Sequence, residues 1–113
     1  MELSIDLVKN NEILVFALSG EIDAYTAPKL KERLLPATQK TGSFIEIDMS
    51  NVSYMDSTGL GVFISALKST KENKSQMKLI NIVDRVYRVF QITGLDEIMD
   101  IEPSCKVEKN NGE

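Results

Sequence analysis

Residues 56–67 read Asp-Ser-Thr-Gly-Leu-Gly-Val-Phe-Ile-Ser-Ala-Leu, and this stretch predicts the start of an α-helix together with its buried face. The apolar residues at positions 60, 63, 64 and 67 have the i, i+3, i+4, i+7 spacing of one helical face. The short polar side chains at 56–58 are of the types that cap helix N-termini, because their oxygens accept hydrogen bonds from free backbone N–H groups. This is the clearest helix signal in the chain, and the other elements are placed on either side of it.

Two strands are predicted at the start of the chain. Residues 3–8 alternate between apolar and polar side chains, as a half-buried strand does, and residues 9–12 form a polar turn of hairpin length. Residues 13–18 are continuously apolar, which predicts a central strand covered on both faces. Residues 19–23 are then expected to leave the sheet.

A first helix is predicted after these strands. Thr26 is a good N-cap residue, and Pro28 suits a first helical turn. Pro36 cannot donate a backbone hydrogen bond and disfavours helical geometry in the residue before it. We therefore expect the helix to kink or restart there before it ends near Gly42.

The remaining strands and the last helix are predicted from the same signals, which are alternation of apolar residues, capping residues and a terminal glycine. Residues 44–49 alternate as a strand, and residues 50–55 are expected to cross from it to the next element. Residues 77–82 predict another strand, and residues 84–94 predict a short helix capped by its aspartate and stopped by its glycine. Residues 98–101 could add a last short strand.

This order predicts an α/β domain. Two strands joined by a hairpin and followed by alternating helices and strands favour a mixed, mostly parallel β-sheet of 4–5 strands with helices packed against it, in the order β-β-α-β-α-β-α-β. We expect one domain at residues 1–102 and a polar C-terminal tail at 103–113.

Composition removes several classes of function. The chain has 113 residues and a formal net charge of −4, which is the wrong sign for a nucleic-acid partner. It contains no histidine, so no Ser-His or Cys-His nucleophile pair can form, and the commonest zinc ligand is missing. Cys105 is the one cysteine, which fits a reducing compartment. With neither a signal peptide nor an apolar run of about 20 residues, we expect a cytoplasmic protein and no membrane partner.

The motifs for cofactors and catalysis are weak. Gly59 and Gly61 suggest a dinucleotide fingerprint, but Ile64 stands where a third glycine belongs, and no phosphate-binding loop is present. Asp56 could be a phospho-acceptor only with further acidic residues to hold magnesium, and Asp6 is thin support for such a set. We therefore expect no catalytic residue, no cofactor and no metal.

Ser57 is the most informative candidate. A serine beside an aspartate at a helix start is most often a capping residue. The alternative to capping is a functional hydroxyl, and three features together favour it: the position at a helix N-terminus, small glycines that give access, and carboxylates from Asp56 and Asp23 on either side.

Two longer motifs add a resemblance to a known family. Residues 20–28, Gly-Glu-Ile-Asp-Ala-Tyr-Thr-Ala-Pro, and residues 52–63, Val-Ser-Tyr-Met-Asp-Ser-Thr-Gly-Leu-Gly-Val-Phe, resemble the anti-sigma-factor antagonist family, whose fold is the STAS domain. Residues 92–98 also match, and the resemblance extends from residue 3 to about residue 101. It is closest to the general-stress form of the family.

The resemblance implies a binding protein that is switched by phosphorylation, not an enzyme. The unphosphorylated form would bind an anti-sigma factor that is also a serine kinase, and would thereby release the sigma factor to RNA polymerase. Phosphorylation of Ser57 by that kinase would end binding, and a PP2C-type serine phosphatase would restore it. The partner-binding residues that the motifs imply are Asp23, Tyr25, Asp56, Ser57, Thr58, Gly59 and Gly61.

Three questions stay open in the sequence. Tyr25, Met55, Leu60 and Val62 could form an apolar part of the contact, or most of them could be core. A sporulation-type antagonist would share the fold and the chemistry and differ in its partner. A non-switching STAS scaffold or small-ligand binding module would leave Ser57 as a cap only.

Overall fold

The computed structural model describes residues 2–104, and it confirms the α/β fold with a five-stranded mixed sheet. The elements in chain order are β1 (Leu3–Asn10), β2 (Ile13–Ile22), α1 (Ala27–Thr38), β3 (Phe44–Met55), α2 (Ser57–Asn73), β4 (Gln76–Ile82), α3 (Asp84–Thr93), a single 3-10 turn (Leu95–Glu97) and β5 (Asp100–Pro103). The strands lie side by side in the order β1-β2-β3-β4-β5. The β1–β2 hairpin is antiparallel and the other three pairings are parallel.

Strands β2 and β3 are longer than the sequence predicts. Residues 19–22 remain in β2 instead of leaving the sheet, and residues 50–55 continue β3 instead of crossing to the next element. The register between these strands shifts twice, after Ala17 and after Gly20, and each shift adds one unpaired residue to β3. Because each extra residue turns the following side chains over, the buried positions of β3 change from a spacing of two to a spacing of three. This break in alternation is the reason the second half of the strand was misread.

Gly20 is needed at the second of these shifts. Its φ is +125°, a value that side-chain-bearing residues rarely adopt, and a Cβ there would collide with the backbone oxygen of Glu2. Glu21 N then donates a 2.9 Å hydrogen bond to the same oxygen. The glycine therefore lets the start of the chain cross the end of β2 at close range.

The three helices cover one face of the sheet. Phe16 on β2, Ile47 on β3 and Leu79 on β4 are in register with each other, and all three are buried beneath the helices. Helices α2 and α3 meet above them, with the ring centroids of Phe63 and Phe90 5.9 Å apart. The prediction that β2 is covered on both faces was wrong, because residues 13, 15 and 17 on its other face are only half-buried.

The helix ends differ in detail from the sequence expectations. Helix α1 runs through Pro36 without a break and stops at Thr38, short of the predicted end at Gly42. Asp84 is the first residue of α3, and Val83 occupies the N-cap position. Gly94 ends α3 in the left-handed conformation, as predicted.

The last strand, β5, begins and ends two residues later than the strand predicted at residues 98–101. Strand β5 includes Pro103, and Ser104 N donates to Ile82 O at 2.9 Å. The rest of the predicted polar tail, together with Cys105, lies outside the described residues. No helix within residues 2–104 combines the length and the apolar character needed to cross a bilayer.

Candidate functional site

The carboxyl ends of β2 and β3 lie next to each other and bring two sequence motifs together. Ile22 and Met55 form the last pair of the β2–β3 ladder, and Asp56 N donates to Ile22 O at 3.3 Å. Because parallel strands end at the same edge of a sheet, the turn at residues 23–26 and the start of α2 become neighbours. Positions more than thirty residues apart in the chain thus form one surface.

The turn at residues 23–26 is held by a reciprocal pair of side chains. Asp23 Oδ1 accepts hydrogen bonds from Tyr25 N at 2.9 Å and from Thr26 N at 3.1 Å, and Asp23 N donates to Thr26 Oγ1 at 2.9 Å. The Thr26 hydroxyl in turn donates to Glu21 O at 2.9 Å, so it ties the turn to β2 and does not cap α1 with its side chain. Asp23 is only 8% exposed, whereas Tyr25 is 85% exposed. The turn therefore uses a buried carboxylate to present an aromatic side chain to solvent.

At the start of α2, Asp56 is the cap and Ser57 is left free. Asp56 has extended backbone geometry, and its Oδ1 accepts a 3.0 Å hydrogen bond from Thr58 N. Ser57 is the first residue of the helix and is exposed. Within residues 2–104, no hydrogen bond engages Ser57 Oγ. The capping interpretation of Ser57 is therefore unnecessary, because its neighbour supplies the cap.

The two glycines of this helix have different surroundings. A Cβ on Gly59 would lie 2.6 Å from Ile22 Cγ2 and 2.7 Å from Met55 Cγ, so this glycine allows α2 to pack closely on the strand ends. A Cβ on Gly61 would meet no atom within 4 Å, and the residue is exposed. Packing within the chain explains Gly59, but it does not explain Gly61.

A groove of about 410 Å³ opens between the beginnings of α1 and α2, beside Ser57. It is lined by Ala24, Ala27, Pro28, Lys31, Thr58, Gly61 and Val62. Its lining is mostly small and apolar, and Lys31 carries the one charge among these residues. The missing side chain of Gly61 keeps the groove open on the α2 side.

The remaining candidates divide into core and surface. Met55, Leu60 and Val62 are at most 5% exposed and belong to the core, while Tyr25 lies on the surface.

The sequence did not single out Lys31 or Glu21. Glu21 Oε1 is buried and has no hydrogen-bond partner in the described part of the chain, although it lies on β2 opposite Tyr54 beside the site. A pairing register is needed to find such a residue, and a single sequence does not contain it.

Chemically, the site offers a free hydroxyl, carboxylates and the positive end of a helix dipole. Unpaired N–H groups at a helix N-terminus favour an anion by about 0.3–1 kcal/mol. In residues 2–104, no three His, Cys, Asp or Glu side chains converge as a metal-binding group would require.

The chain matches the model of the STAS domain over residues 4–107, and it belongs to that family. It is 46% identical over 103 residues to the anti-sigma-B factor antagonist of Listeria monocytogenes, covering 90% of each chain. It is 43% identical over 101 residues to the anti-sigma-B factor antagonist of Bacillus subtilis, covering 89% of this chain and 92% of that one. The function that these relatives support is that of an anti-sigma factor antagonist.

A solved structure with the same fold is that of the Bacillus cell fate determinant SpoIIAA in its phosphorylated form. The TM-score is 0.66 at 20% identity, and the alignment covers 95% of this chain and 97% of that one.

Proposed function

We propose that this antagonist is a partner switch controlled by phosphorylation of Ser57. In its unphosphorylated form it binds an anti-sigma factor that is also a serine kinase, and the sigma factor is released. The kinase then phosphorylates Ser57 and the complex dissociates, and a PP2C-type serine phosphatase resets the protein. The exchange consumes ATP and takes place in the cytoplasm.

One observation carries this proposal: Ser57 is an exposed residue at the start of α2, while Asp56 forms the cap. A kinase can reach such a hydroxyl without unfolding the helix. The phosphate would also be tolerated by its own chain, because the helix N-terminus favours an anion. The solved phosphorylated form of SpoIIAA, which has the same fold, is consistent with this expectation.

The effect of the phosphate should fall on the complex. A phosphoserine adds about −1.5 to −2 charges at neutral pH. One like-charge pair about 5 Å apart at an effective dielectric of about 20 costs about 3 kcal/mol, or about two decades of affinity. Repulsion and desolvation at the interface are therefore sufficient, and no rearrangement of the fold is required.

The contact surface that we propose is built around Ser57. Tyr25 supplies an exposed aromatic anchor, and Thr58 and Gly61 line the groove beside it. Three further residues support this surface without forming its centre. Asp23 holds the turn, Asp56 caps α2, and Gly59 allows α2 to pack closely on the sheet. The partner meets a surface whose shape is fixed by these three residues.

The general-stress type is the form that we propose. Identities of 43–46% with proteins named anti-sigma-B factor antagonists support it. A sporulation-type antagonist would use the same hydroxyl on another kinase, so affinities for the two kinds of kinase would separate these types.

Mass spectrometry after incubation with ATP and the cognate kinase tests the proposal. We expect one phosphate on the native chain, located on Ser57, and none on Ser57→Ala, which should still bind the kinase. Ser53→Ala is the matched control, because it removes an exposed serine hydroxyl outside the proposed contact surface and should leave phosphate incorporation unchanged. Phosphate found on the Ser57→Ala variant would show that another hydroxyl is the acceptor.

A further inference from the structure

The face of the sheet opposite the helices, here called the open face, carries an apolar strip on β1, β2 and the start of β3. Register places in this strip Val8, Ile13, Val15, Ala17 and Phe44, and it places one more apolar residue, Ile80, on the far side of Asp48. Val8 pairs directly with Val15, and Ile13 with Phe44. Val8 is 56% exposed and Phe44 is 47% exposed, while the other four are half-buried. Accessible apolar side chains grouped on one sheet face are available to pack against a partner.

Carboxylates surround the strip. The acidic side chains on the open face are Asp6, Glu46, Asp48, Asp100 and Glu102. Among the residues that the structure describes, Lys78 is the one cation that register places with them, and it is paired with Glu102 at 2.9 Å. Five carboxylates and one lysine leave these residues with four excess negative charges, which equals the formal net charge of −4 of the whole chain. A partner for this face should therefore be basic.

Hydrogen bonds from neighbouring residues favour the ionised form of the Asp48 carboxyl. Partial burial opposes the charged form, but hydrogen bonds from Ser50 at 3.0 Å and from Asn81 at 3.4 Å outweigh it and lower the pKa of the Asp48 carboxyl. This carboxylate stays ionised beside the apolar strip over the physiological range.

One end of the open face has a cleft for a single side chain. It measures about 280 Å³ and is bordered by Ile13, Phe44, Glu46, Gln76, Lys78 and Asp100. This volume lies at the lower limit of the roughly 300–1,000 Å³ of small-molecule sites. Its apolar base and charged rim instead suit one long side chain with an apolar stem and a cationic end.

The dimensions of the face fit one short helix. Four gaps of about 4.8 Å separate the outer strands by about 19 Å, and an α-helix of about 12 residues is about 18 Å long and about 10 Å wide. Such a helix would cover the apolar strip with one stripe of side chains, and basic residues on its flanks would reach the carboxylates.

Charge also decides between occupants. Nucleic acid and anionic lipid surfaces would be repelled by this face. A second copy in a symmetric dimer would place the same acidic residues against each other.

We propose that the open face is a second binding surface, which docks a basic amphipathic helix of a partner protein. The surface is independent of the proposed phosphorylation switch, because it lies on the side of the sheet away from α1, α2 and the groove beside Ser57. Failure of one proposal therefore leaves the other intact.

Amide chemical-shift mapping with two synthetic peptides tests this inference. The probe is a peptide of about 14 residues with leucine at i, i+3, i+4 and i+7 spacing and lysine elsewhere, and the control peptide has glutamate in place of lysine. We expect the lysine peptide to shift amides of Val8, Val15, Phe44 and Ile80 and to leave those around Ser57 unchanged. The glutamate peptide should shift neither set.

Two matched pairs of variants give the test its specificity. Asp6→Lys should weaken binding of the lysine peptide by about tenfold, and Glu72→Lys, the same charge change at an exposed position on α2, by less than twofold. Val8→Asn should weaken it by about tenfold, and Leu7→Asn, on the other face of the same strand, by less than twofold.

Three results would overturn the proposal. Shifts spread over the helices, or equal losses in the members of each pair, would mean that binding is non-specific charge attraction. Concentration-dependent shifts of the same amides without peptide would mean that a second copy covers the face. If the lysine peptide does not bind at low salt, the open face does not dock a basic amphipathic helix.

Discussion

Replacing the two glycines of α2 separately with alanine should change stability in opposite directions. Glycine in a helix interior costs about 1 kcal/mol relative to alanine, so each substitution gains about that much in helix propensity. At Gly61 nothing lies within 4 Å of the new methyl group, so the full gain should appear. Gly61→Ala should therefore stabilise the domain by about 1 kcal/mol.

At Gly59 the same methyl group has no room. It would lie 2.6 Å from Ile22 Cγ2 and 2.7 Å from Met55 Cγ, and both side chains are buried. Overpacking of this kind costs about 1–3 kcal/mol, which exceeds the gain in propensity on average. Gly59→Ala should therefore destabilise the domain by about 1 kcal/mol, and the two variants should differ by about 2 kcal/mol.

Urea unfolding followed by circular dichroism measures this difference. With an m-value of about 1–1.5 kcal/mol/M for a domain of this size, the two midpoints should be separated by about 1.3–2 M. The proposed function adds a second expectation: Gly61→Ala should weaken kinase binding although it stabilises the fold, because the methyl group enters the groove beside Ser57. Equal stabilities, or a less stable Gly61→Ala, would refute the packing argument.

Three further predictions concern charge and capping. Ser57→Asp should lower kinase affinity by about 100-fold with an unchanged amide spectrum away from α2, whereas affinity close to that of the native chain would favour the scaffold or small-ligand alternative. Asp56→Ala should lower the free energy of unfolding by about 1 kcal/mol, because Thr58 N loses its acceptor, and Asp56→Asn should lose only a few tenths; equal losses would show that the cap is not responsible. Because hydrogen bonds lower the pKa of Asp48 in the folded state, its contribution to stability is present above the ordinary value of 3.8 and is lost as pH falls below it. The acid side of the stability curve should therefore be shallower in Asp48→Asn, and an unchanged curve would mean that the Ser50 hydrogen bond contributes nothing.

Local patterns predicted most of the elements but not the extent of the long strands. The helix at α2 and the stop at Gly94 were clear from spacing and cap residues, because both depend on neighbours in the sequence. Residues 50–55 were misread because the register shifts in β3 depend on how β2 pairs with it. The end of α1 was also missed, because the helix continues through Pro36 and stops at Thr38, where the C-cap residue is Gln39 and no glycine marks the end.

The candidate site, like the fold, could be predicted only in part from the sequence. Ser57 and its flanking residues could be named from the motifs, and the match to the STAS domain and the 46% identity with an anti-sigma-B factor antagonist support the family that those motifs resemble. The separate environments of Gly59 and Gly61 could not be distinguished, because both are glycines on one helix and only the strand ends beneath them differ. Asp23 could be named as well, but its burial in the turn could not.

By itself, the sequence determined the order of the elements, the start of α2 and the hydroxyl that stands there, since caps and periodicity act over a few residues. The tertiary structure decided which strands are bulged, which glycine faces the core and which sheet face the helices of residues 2–104 leave uncovered. These depend on pairing between β2 and β3 and on the side that all three helices occupy. Such contacts join positions far apart in the chain, so no local pattern contains them.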